Sequence, residues 1–248
     1  MLSSPDSISQ KERIPSEIPP VIYREENGER VGYPNPDYEP VLSAARYNAA
    51  FRFSGIPLEY VSLDFDNVED KYVESRESFL LCKKYAMECR QDSTQGISLY
   101  LHGALNRSGK TTMQAAIGKE FLRQGFTVKY YQAGDLALKL INFDTYHTVM
   151  EEARRADLIL LNDAFDPNKS LMWGRDKKPM IVSAWDTFVR SLMQDAKRFV
   201  IDGNIALAKV KESYSLSLYE LLDTNCKQLE FLDSVKSARK SRVSEFKL

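Results

Sequence analysis

Residues 97–112 read ISLYLHGALNRSGKTT, an apolar run that meets a glycine-rich loop. The run is typical of a buried β-strand, and the residues after the loop are typical of a helix. At such a junction, backbone N–H groups and the positive end of the helix dipole face one point, which favours an anion. A tight turn that carries Gly-Lys-Thr by chance is the alternative, but the strand and helix around it favour a phosphate-binding loop.

The loop is longer by one residue than the usual phosphate-binding motif. Five residues separate Gly103 from Gly109, where the motif has four. A bulge within residues 104–108 would absorb the extra residue. In this motif the lysine reaches the terminal phosphates and the next hydroxyl binds the metal, so the sequence predicts a site for ATP and Mg²⁺. The residues assigned to ATP are Gly103, Ser108, Gly109, Lys110, Thr111 and Thr112.

Apolar runs and helical patterns alternate along the chain after residue 96. Runs that favour strands lie at 97–103, 126–133, 157–163, 198–204 and 228–233. Helical patterns lie at 110–125, 135–143 and 146–156. Strands that alternate with helices predict an α/β fold with a parallel sheet covered on both faces.

The residues before this region have a different character. Residues 1–40 are rich in Pro, Glu, Ser and Asn, which argues against regular structure apart from a small ordered part around Val21–Tyr33. We expect a short helix within 41–60 and an amphipathic helix at 69–92. The predicted divisions are a flexible or partner-binding segment (1–45), a helical lead-in (46–95) and the core (96–248).

A nucleotide site with Mg²⁺ also needs acidic side chains at a strand end, where they hold the metal and polarise water. The run at 157–163 ends in Asn162 and Asp163, so only the second of the pair is a carboxylate. Either Asp163 serves both roles, or it holds the metal and no base follows; Asp166 is near enough in sequence to assist. Asn204 ends the next run, where a polar side chain can face the γ-phosphate. The alternative is a buried strand that ends in polar residues.

Composition narrows the class of protein. The 248 residues carry a net charge of -1, so a polyanion would have to bind a local patch. No apolar run approaches the ~20 residues that span a bilayer, and the N-terminus lacks a secretory signal, so no membrane partner is expected. The three cysteines form no metal-type cluster, which favours a reduced, cytoplasmic location.

Two segments before the loop, together with the loop and the later strands, resemble the DnaC/IstB-type AAA+ ATPases, which are replicative helicase loaders and their transposition-helper relatives. The segments are Gly-Ile-Pro at 55–57 and Phe-Asp-Asn at 65–67, and the resemblance covers about residues 45–240. It implies an AAA+ fold, a five-stranded parallel sheet flanked by helices, after an irregular N-terminal extension. It also implies ATP-dependent homo-oligomers around single-stranded DNA, and an N-terminal segment that grips a hexameric replicative helicase.

The same resemblance assigns residues around the nucleotide. They are Asn162 and Asp163 for the acidic motif, Asn204 for the first sensor, and Lys236 or nearby Arg239 on the C-terminal side. Residues 213–225, where the family carries an arginine finger, contain neither Arg nor Lys. A finger stabilises charge in the transition state, so its loss and the asparagine in the acidic motif predict slow or absent ATP hydrolysis.

Two stretches are candidates for contact with single-stranded DNA, since basic side chains follow its backbone and aromatic rings stack on its bases. The first set is Lys169, Trp173, Arg175, Lys177 and Lys178. The second is Lys139 and Phe143, at the place where the family faces its central pore. A solvated loop is the alternative for the first set, and a core position is the alternative for Phe143.

These observations favour a helicase loader that binds ATP, hydrolyses it weakly and delivers a hexameric helicase to single-stranded DNA. A transposition helper that binds duplex DNA would use the same core, so the sequence separates the two poorly. A former ATPase kept as a non-catalytic interaction module is the alternative from a different class.

Overall fold

A computed structural model describes most of the chain. The described residues are 19–26, 29–72, 74–90, 96–103, 108–165 and 178–232, without the side chains of 178 and 179. The chain forms two compact units, residues 1–53 and residues 54–248. Within the described ranges, no helix combines the length and apolar character needed to cross a bilayer.

The first unit contains a β-hairpin and most of a long helix. β1 (Val21–Glu26) pairs with β2 (Glu29–Pro34) in antiparallel fashion, in the stretch where the sequence predicted an ordered part. The second strand ends at a proline, which has no N–H to continue the ladder. The Asn35 side chain then accepts a hydrogen bond from the backbone N–H of Asp37 at 3.0 Å. This turn begins α1 (Tyr38–Ser54).

The second unit is built on a five-stranded parallel sheet, as the alternating pattern predicted. Its strands are β3 (Ser98–His102), β4 (Val128–Gln132), β5 (Leu158–Asn162), β6 (Arg198–Gly203) and β7 (Cys226–Glu230). They lie in the order β4-β5-β6-β3-β7. β5 is buried along its whole length because helices cover both faces, which accounts for its uninterrupted apolar run.

Helices pack on both faces of this sheet. They are α2 (Phe65–Val68), α3 (Arg76–Met87), α4 (Lys110–Arg123), α5 (Ala133–Ile141), α6 (Phe143–Arg155), α7 (Lys178–Gln194), α8 (Val210–Ser213) and α9 (Leu216–Asn225). Short 3₁₀ turns lie at Leu58–Tyr60, Glu69–Lys71 and Leu207–Lys209. α3 packs on α4, while α5, α6, α7 and α9 form a second packed group. The crossover from β3 to β4 runs in one direction along the sheet and the later ones run in the other, so right-handed connections place the two groups on opposite faces.

The strand order decides where a ligand can bind. β3 lies between β6 and β7, so the loop after β3 opens beside the carboxyl end of β6, with β5 one strand further away. The chain leaves β3 for the far edge strand β4 and returns strand by strand. The connections therefore diverge at the boundary between β3 and β6, which is where open α/β sheets bind ligands.

Two of the differences from the sequence predictions concern the helices α3 and α7. The helix expected at 69–92 is shorter, because Glu69–Lys71 forms a 3₁₀ turn and α3 begins only after Ser75. The predictions contain no helix at the position of α7. Its buried residues Ile181, Trp185 and Phe188 nevertheless recur at steps of three and four, which is the helical signal.

One buried lysine ties the lead-in segment to α4. The Lys119 ammonium donates to the backbone carbonyls of Tyr60, Val61 and Leu63 at 3.2, 2.6 and 2.9 Å. It also lies 2.7 Å from Asp64 Oδ1, and the lysine side chain is 0% exposed. A buried ammonium needs this set of acceptors to offset its lost hydration. The segment held in this way continues to the residues that contact the glycine-rich loop.

Candidate nucleotide-binding site

The loop begins where β3 meets the segment after β7. The backbone N–H of Phe231 donates to the His102 carbonyl at 2.7 Å, next to Gly103. A Cβ atom on Gly103 would lie 2.2 Å from the carbonyl oxygen of Phe231. Only glycine fits here, because the two backbones approach too closely for any side chain. Residues 104–107, where we expect a bulge, lie outside the described residues.

The loop ends at Gly109, which precedes the first turn of α4. Gly109 has φ +84°, in the left-handed region that glycine adopts at low cost. The Tyr72 hydroxyl donates to the Gly109 carbonyl at 2.9 Å and fills the space that a Cβ would occupy. The N-cap residue of α4 is Gly109, which has no side chain to accept from the first N–H groups of the helix. Its first N–H groups therefore face the loop, as anion binding at a helix start requires.

Lys110 lies beneath the loop with its ammonium buried. The residue is 6% exposed, and Nζ donates to the Gly103 carbonyl at 3.1 Å and to Ser108 Oγ at 3.0 Å. Burial lowers the pKa of Lys110, while the nearby charges of Asp202 and Asp163 act in the opposite direction. The ammonium thus joins both ends of the loop.

Thr111 contacts a carboxylate that the sequence predictions do not include. Its Oγ1 donates to Asp202 Oδ2 at 2.8 Å. Asp202 belongs to β6, directly opposite Leu101 of β3, and is 1% exposed. Burial raises the pKa of Asp202 to about 6, although hydrogen bonds from the Asp163 N–H and from Thr111 oppose the shift.

Asp163 follows β5 in a turn that Asp202 holds from the neighbouring strand. The Asp163 N–H donates to the Asp202 carboxylate, and the Ala164 N–H donates to the Asp202 carbonyl at 2.8 Å. Asp163 has φ +55°, a region that costs ordinary residues ~1–2 kcal/mol but suits Asp better than most. Its Oδ2 lies 3.2 Å from the end of the Gln132 side chain. The turn therefore holds the carboxylate at the carboxyl edge of the sheet.

Asn162 completes the group. It is 7% exposed. In the orientation that faces its amide nitrogen toward Asp202, the nitrogen lies 3.2 and 3.0 Å from the two carboxylate oxygens and 3.1 Å from Thr111 Oγ1. The amide oxygen then accepts from the Tyr130 hydroxyl at 3.0 Å. We call Lys110, Thr111, Asn162, Asp163 and Asp202 the strand-end cluster.

The strand-end cluster suits Mg²⁺ better than a metal that needs a full cage. It offers two carboxylates and one hydroxyl beside a helix that starts after a glycine. In the residues that the structure describes, no group of three His, Cys, Asp or Glu side chains could hold a metal. Mg²⁺ is commonly bound through one or two carboxylates, with substrate phosphates and water as the remaining ligands. The residues present therefore fit a metal that arrives with a phosphate.

The other predicted site residues that the structure describes lie outside the cluster. Thr112 is half-buried in the first turn of α4. Asn204 is half-buried just after β6 and, among the described residues, makes no hydrogen bond to the cluster. Lys139 and Phe143 are both exposed, Phe143 at 81%, which excludes the core alternative for that ring. Lys178 is the first residue of α7.

Several predictions fall on residues that the structure does not describe. They are Asp166, Lys169, Trp173, Arg175, Lys177, Lys236 and Arg239. The predicted second set for DNA, Lys139 and Phe143, is therefore the one with a described position, at the end of α5 and the start of α6.

Sequence reasoning missed Asp202 and Tyr72. Asp202 lies inside a run of apolar residues, and an acid at such a position is rare unless it is paired or functional. That was the available signal. Tyr72 contacts Gly109 from 37 positions earlier in the chain, and no local pattern indicates such a contact.

The arrangement of strands, helices and loop defines a class: the chain has the AAA+ fold. Among solved structures it is similar to DnaI, with a TM-score of 0.57 and 14% identity over 73% of this chain and 94% of that one. The DnaC helicase loader matches with a TM-score of 0.53 and 15% identity, over 71% of this chain and 99% of that one. AMPPCP-bound DnaA from Aquifex aeolicus matches with a TM-score of 0.55 and 17% identity, over 69% of this chain and 50% of that one. The chain therefore spans about half the length of that protein.

At this level of identity the likeness establishes the fold and leaves the activity to be argued from the site. No protein-family model matches the chain, and no curated protein matches it by sequence.

Proposed function

We propose that the chain is an AAA+ helicase loader that binds ATP with Mg²⁺, assembles with a hexameric replicative helicase and delivers it to single-stranded DNA. The observation that carries the nucleotide part is the strand-end cluster beside the start of α4, where the N-cap residue is a glycine. The loader part is supported by coverage, because the match extends over nearly all of the DnaI and DnaC chains but only half of DnaA.

The residues of the cluster have separate tasks in this proposal. Lys110 neutralises phosphate charge where the loop closes, and the first N–H groups of α4 bind phosphate oxygens. Thr111 and Asp163 face the metal, which screens the charge of the phosphates when it is bound. Gly103 and Gly109 let the backbone approach, since a Cβ at either position would clash.

ATP hydrolysis is weak in this proposal. Asn162 carries no charge and cannot act as a base, so Asp163 is the one carboxylate of the acidic motif. α9 spans most of the segment in which the family carries its arginine finger, and that segment contains no Arg or Lys. ATP therefore acts mainly through binding, by favouring a homo-oligomer that holds DNA, and the protein works in the cytoplasm.

Residues 1–45 serve as the segment that binds the helicase, 46–95 as the lead-in and 96–248 as the core in this proposal. The hairpin presents Tyr23, which is 58% exposed, with the Arg30 guanidinium 4.2 Å from its ring centroid. Exposed aromatic and arginine side chains are typical anchors of protein interfaces. Lys139 and Phe143 are the proposed contacts to single-stranded DNA, through charge and base stacking.

Co-purification tests the proposal. The full chain is mixed with the purified replicative helicase of its source organism, with ATP and Mg²⁺ or without nucleotide, and analysed by gel filtration. We expect a nucleotide-dependent complex that Lys110→Ala abolishes. The matched control is Lys129→Ala, since Lys129 pairs with Glu152 at 3.5 Å on the far part of the sheet.

Two results would overturn this assignment. Equal complex formation by the wild type and Lys110→Ala would remove the role of nucleotide. Absence of a helicase complex, together with ATP-dependent filaments on duplex DNA, would replace the loader with a transposition helper.

A further inference from the structure

The two carboxylates of the strand-end cluster come from different strands. Asp163 follows β5, as the sequence predicted, but the residue beside it is the neutral Asn162. Asp202 comes from within β6, one strand closer to the loop. The order of the strands places this acid between the turn after β5 and the first turn of α4.

Both oxygens of Asp202 are held by groups from these two turns. Oδ2 accepts from Thr111 Oγ1 at 2.8 Å, and Oδ1 accepts from the Asp163 N–H. The Asn162 amide nitrogen lies 3.0 Å from Oδ2. A carboxylate with these partners fixes the Thr111 side chain and the Asp163 turn at the same time.

The partners of Asp202 also indicate what the carboxylate is for. They are a hydroxyl, an amide and a backbone N–H, all neutral, around a side chain that is 1% exposed. A buried negative charge held by neutral groups costs free energy; the nearby Lys110 ammonium offsets part of that cost, and a metal cation would offset more of it. When Thr111 donates its hydroxyl proton to Asp202 and accepts from the Asn162 amide, its oxygen keeps one lone pair for such a cation.

We propose that Asp202 is the positioning carboxylate of this site: it orients the Thr111 hydroxyl toward nucleotide-bound Mg²⁺ and supplies the negative charge that Asn162 lacks. Asp202 of β6 thus takes the place of the first acid that Asn162 lacks at the end of β5. This inference rests on the proposed nucleotide binding and adds to it the residue on which the metal dependence relies.

The contact between positions 162 and 202 allows only one of them to carry a negative charge. The Asn162 amide and the Asp202 carboxylate are within 3.0–3.2 Å, and two carboxylates at that distance would not both ionise. One position must therefore be neutral when the other is charged. The exchange Asn162→Asp with Asp202→Asn keeps one charge and one amide in contact, whereas Asn162→Asp alone places two acids together.

The test measures how strongly Mg²⁺ increases nucleotide affinity. A fluorescent, non-hydrolysable ATP analogue is titrated into the full chain with Mg²⁺ or with EDTA, and the ratio of the two Kd values is the readout. We expect Asp202→Asn to reduce this ratio ~10-fold, as for other residues that orient metal ligands, with little change in the Kd in EDTA. The double exchange restores at least part of the ratio. Asp195→Asn, which alters an exposed acid paired with Arg154, leaves it unchanged.

The outcomes separate this inference from the proposed function. A wild type that binds no analogue in either buffer refutes nucleotide binding itself. A wild type with a Mg²⁺-dependent Kd whose ratio survives in Asp202→Asn refutes only the role of Asp202. Thermal unfolding of each variant checks that it folds. Should Asp202→Asn fail to fold, a folded double exchange without Mg²⁺ dependence refutes the inference as well.

Discussion

The substitution Lys119→Met removes a charge from the interface between α4 and the lead-in segment. Lys119 is 0% exposed, and its ammonium donates to three backbone carbonyls and pairs with Asp64. Methionine has similar length and fills the same space, so the change removes the donor without opening a cavity. The segment that Lys119 holds carries Tyr72, which contacts the glycine-rich loop.

The cost follows from what each acceptor retains. Asp64 is 32% exposed and keeps Arg123 at 2.7 Å, so its charge stays partly compensated. The Tyr60 carbonyl keeps the backbone N–H of Leu63 at 3.1 Å, whereas the carbonyls of Val61, which is 53% exposed, and of half-buried Leu63 lose the Lys119 donor. An orphaned buried acceptor costs ~1–3 kcal/mol, and breaking a buried ion pair costs ~3–5 kcal/mol. Because compensation is partial, we expect Lys119→Met to lower the free energy of unfolding by ~2–4 kcal/mol.

Urea denaturation followed by circular dichroism measures this loss. Arg123→Met is the matched control, since Arg123 contacts the same Asp64 oxygen but its side chain is 41% exposed. An exposed ion pair contributes ~0–1 kcal/mol, so the free energy of unfolding of the control should fall by less than ~1 kcal/mol. Equal losses for the two variants, or a loss below ~1 kcal/mol for Lys119→Met, would refute the argument that burial decides the cost.

Three further predictions concern the loop, acid stability and DNA. Gly103→Ala places a Cβ 2.2 Å from a backbone oxygen and should lower the free energy of unfolding, measured in urea, by ~2–3 kcal/mol. Gly134→Ala has nothing within 4 Å of its Cβ and should raise that free energy slightly. Burial raises the pKa of Asp64, but its two cationic partners outweigh burial and hold the pKa below 3.8. The folded state thus favours the ionised form of Asp64, which stabilises the fold above pH 3.8. The free energy of unfolding should therefore fall as the pH drops below 3.8, and it should fall less in Asp64→Asn. Phe143→Ala should weaken binding to an oligothymidine ~10-fold without altering stability, while Leu138→Ala, at another exposed apolar position, should change neither.

The local parts of the site could be predicted from the sequence. Lys110 and Thr111 belong to a short motif whose meaning depends only on the strand before it and the helix after it. The strands β3, β5 and β6 were also predictable, because strands buried on both faces are continuous apolar runs of limited length, whereas the edge strands β4 and β7 are only partly buried.

The order of the strands could not be predicted, and the rest of the site depends on it. Asp202 reaches Thr111 only because β6 pairs with β3, and that pairing joins positions about a hundred residues apart. The same holds for Phe231 beside Gly103, since β7 pairs with β3 on its other side. Long-range pairing is set by packing of the whole sheet, which no short window of sequence contains.

The central claim is that the carboxyl edge of the sheet, around Lys110 and Thr111, binds a nucleotide with its metal. Isothermal titration of the full chain with ATPγS in the presence of Mg²⁺ tests it directly. The account predicts saturable binding by the wild type and a loss of at least ~10-fold in affinity for Lys110→Ala, because a phosphate would lose its buried cation. Heats of mixing that are the same for both proteins, or an affinity that Lys110→Ala leaves intact, would contradict it.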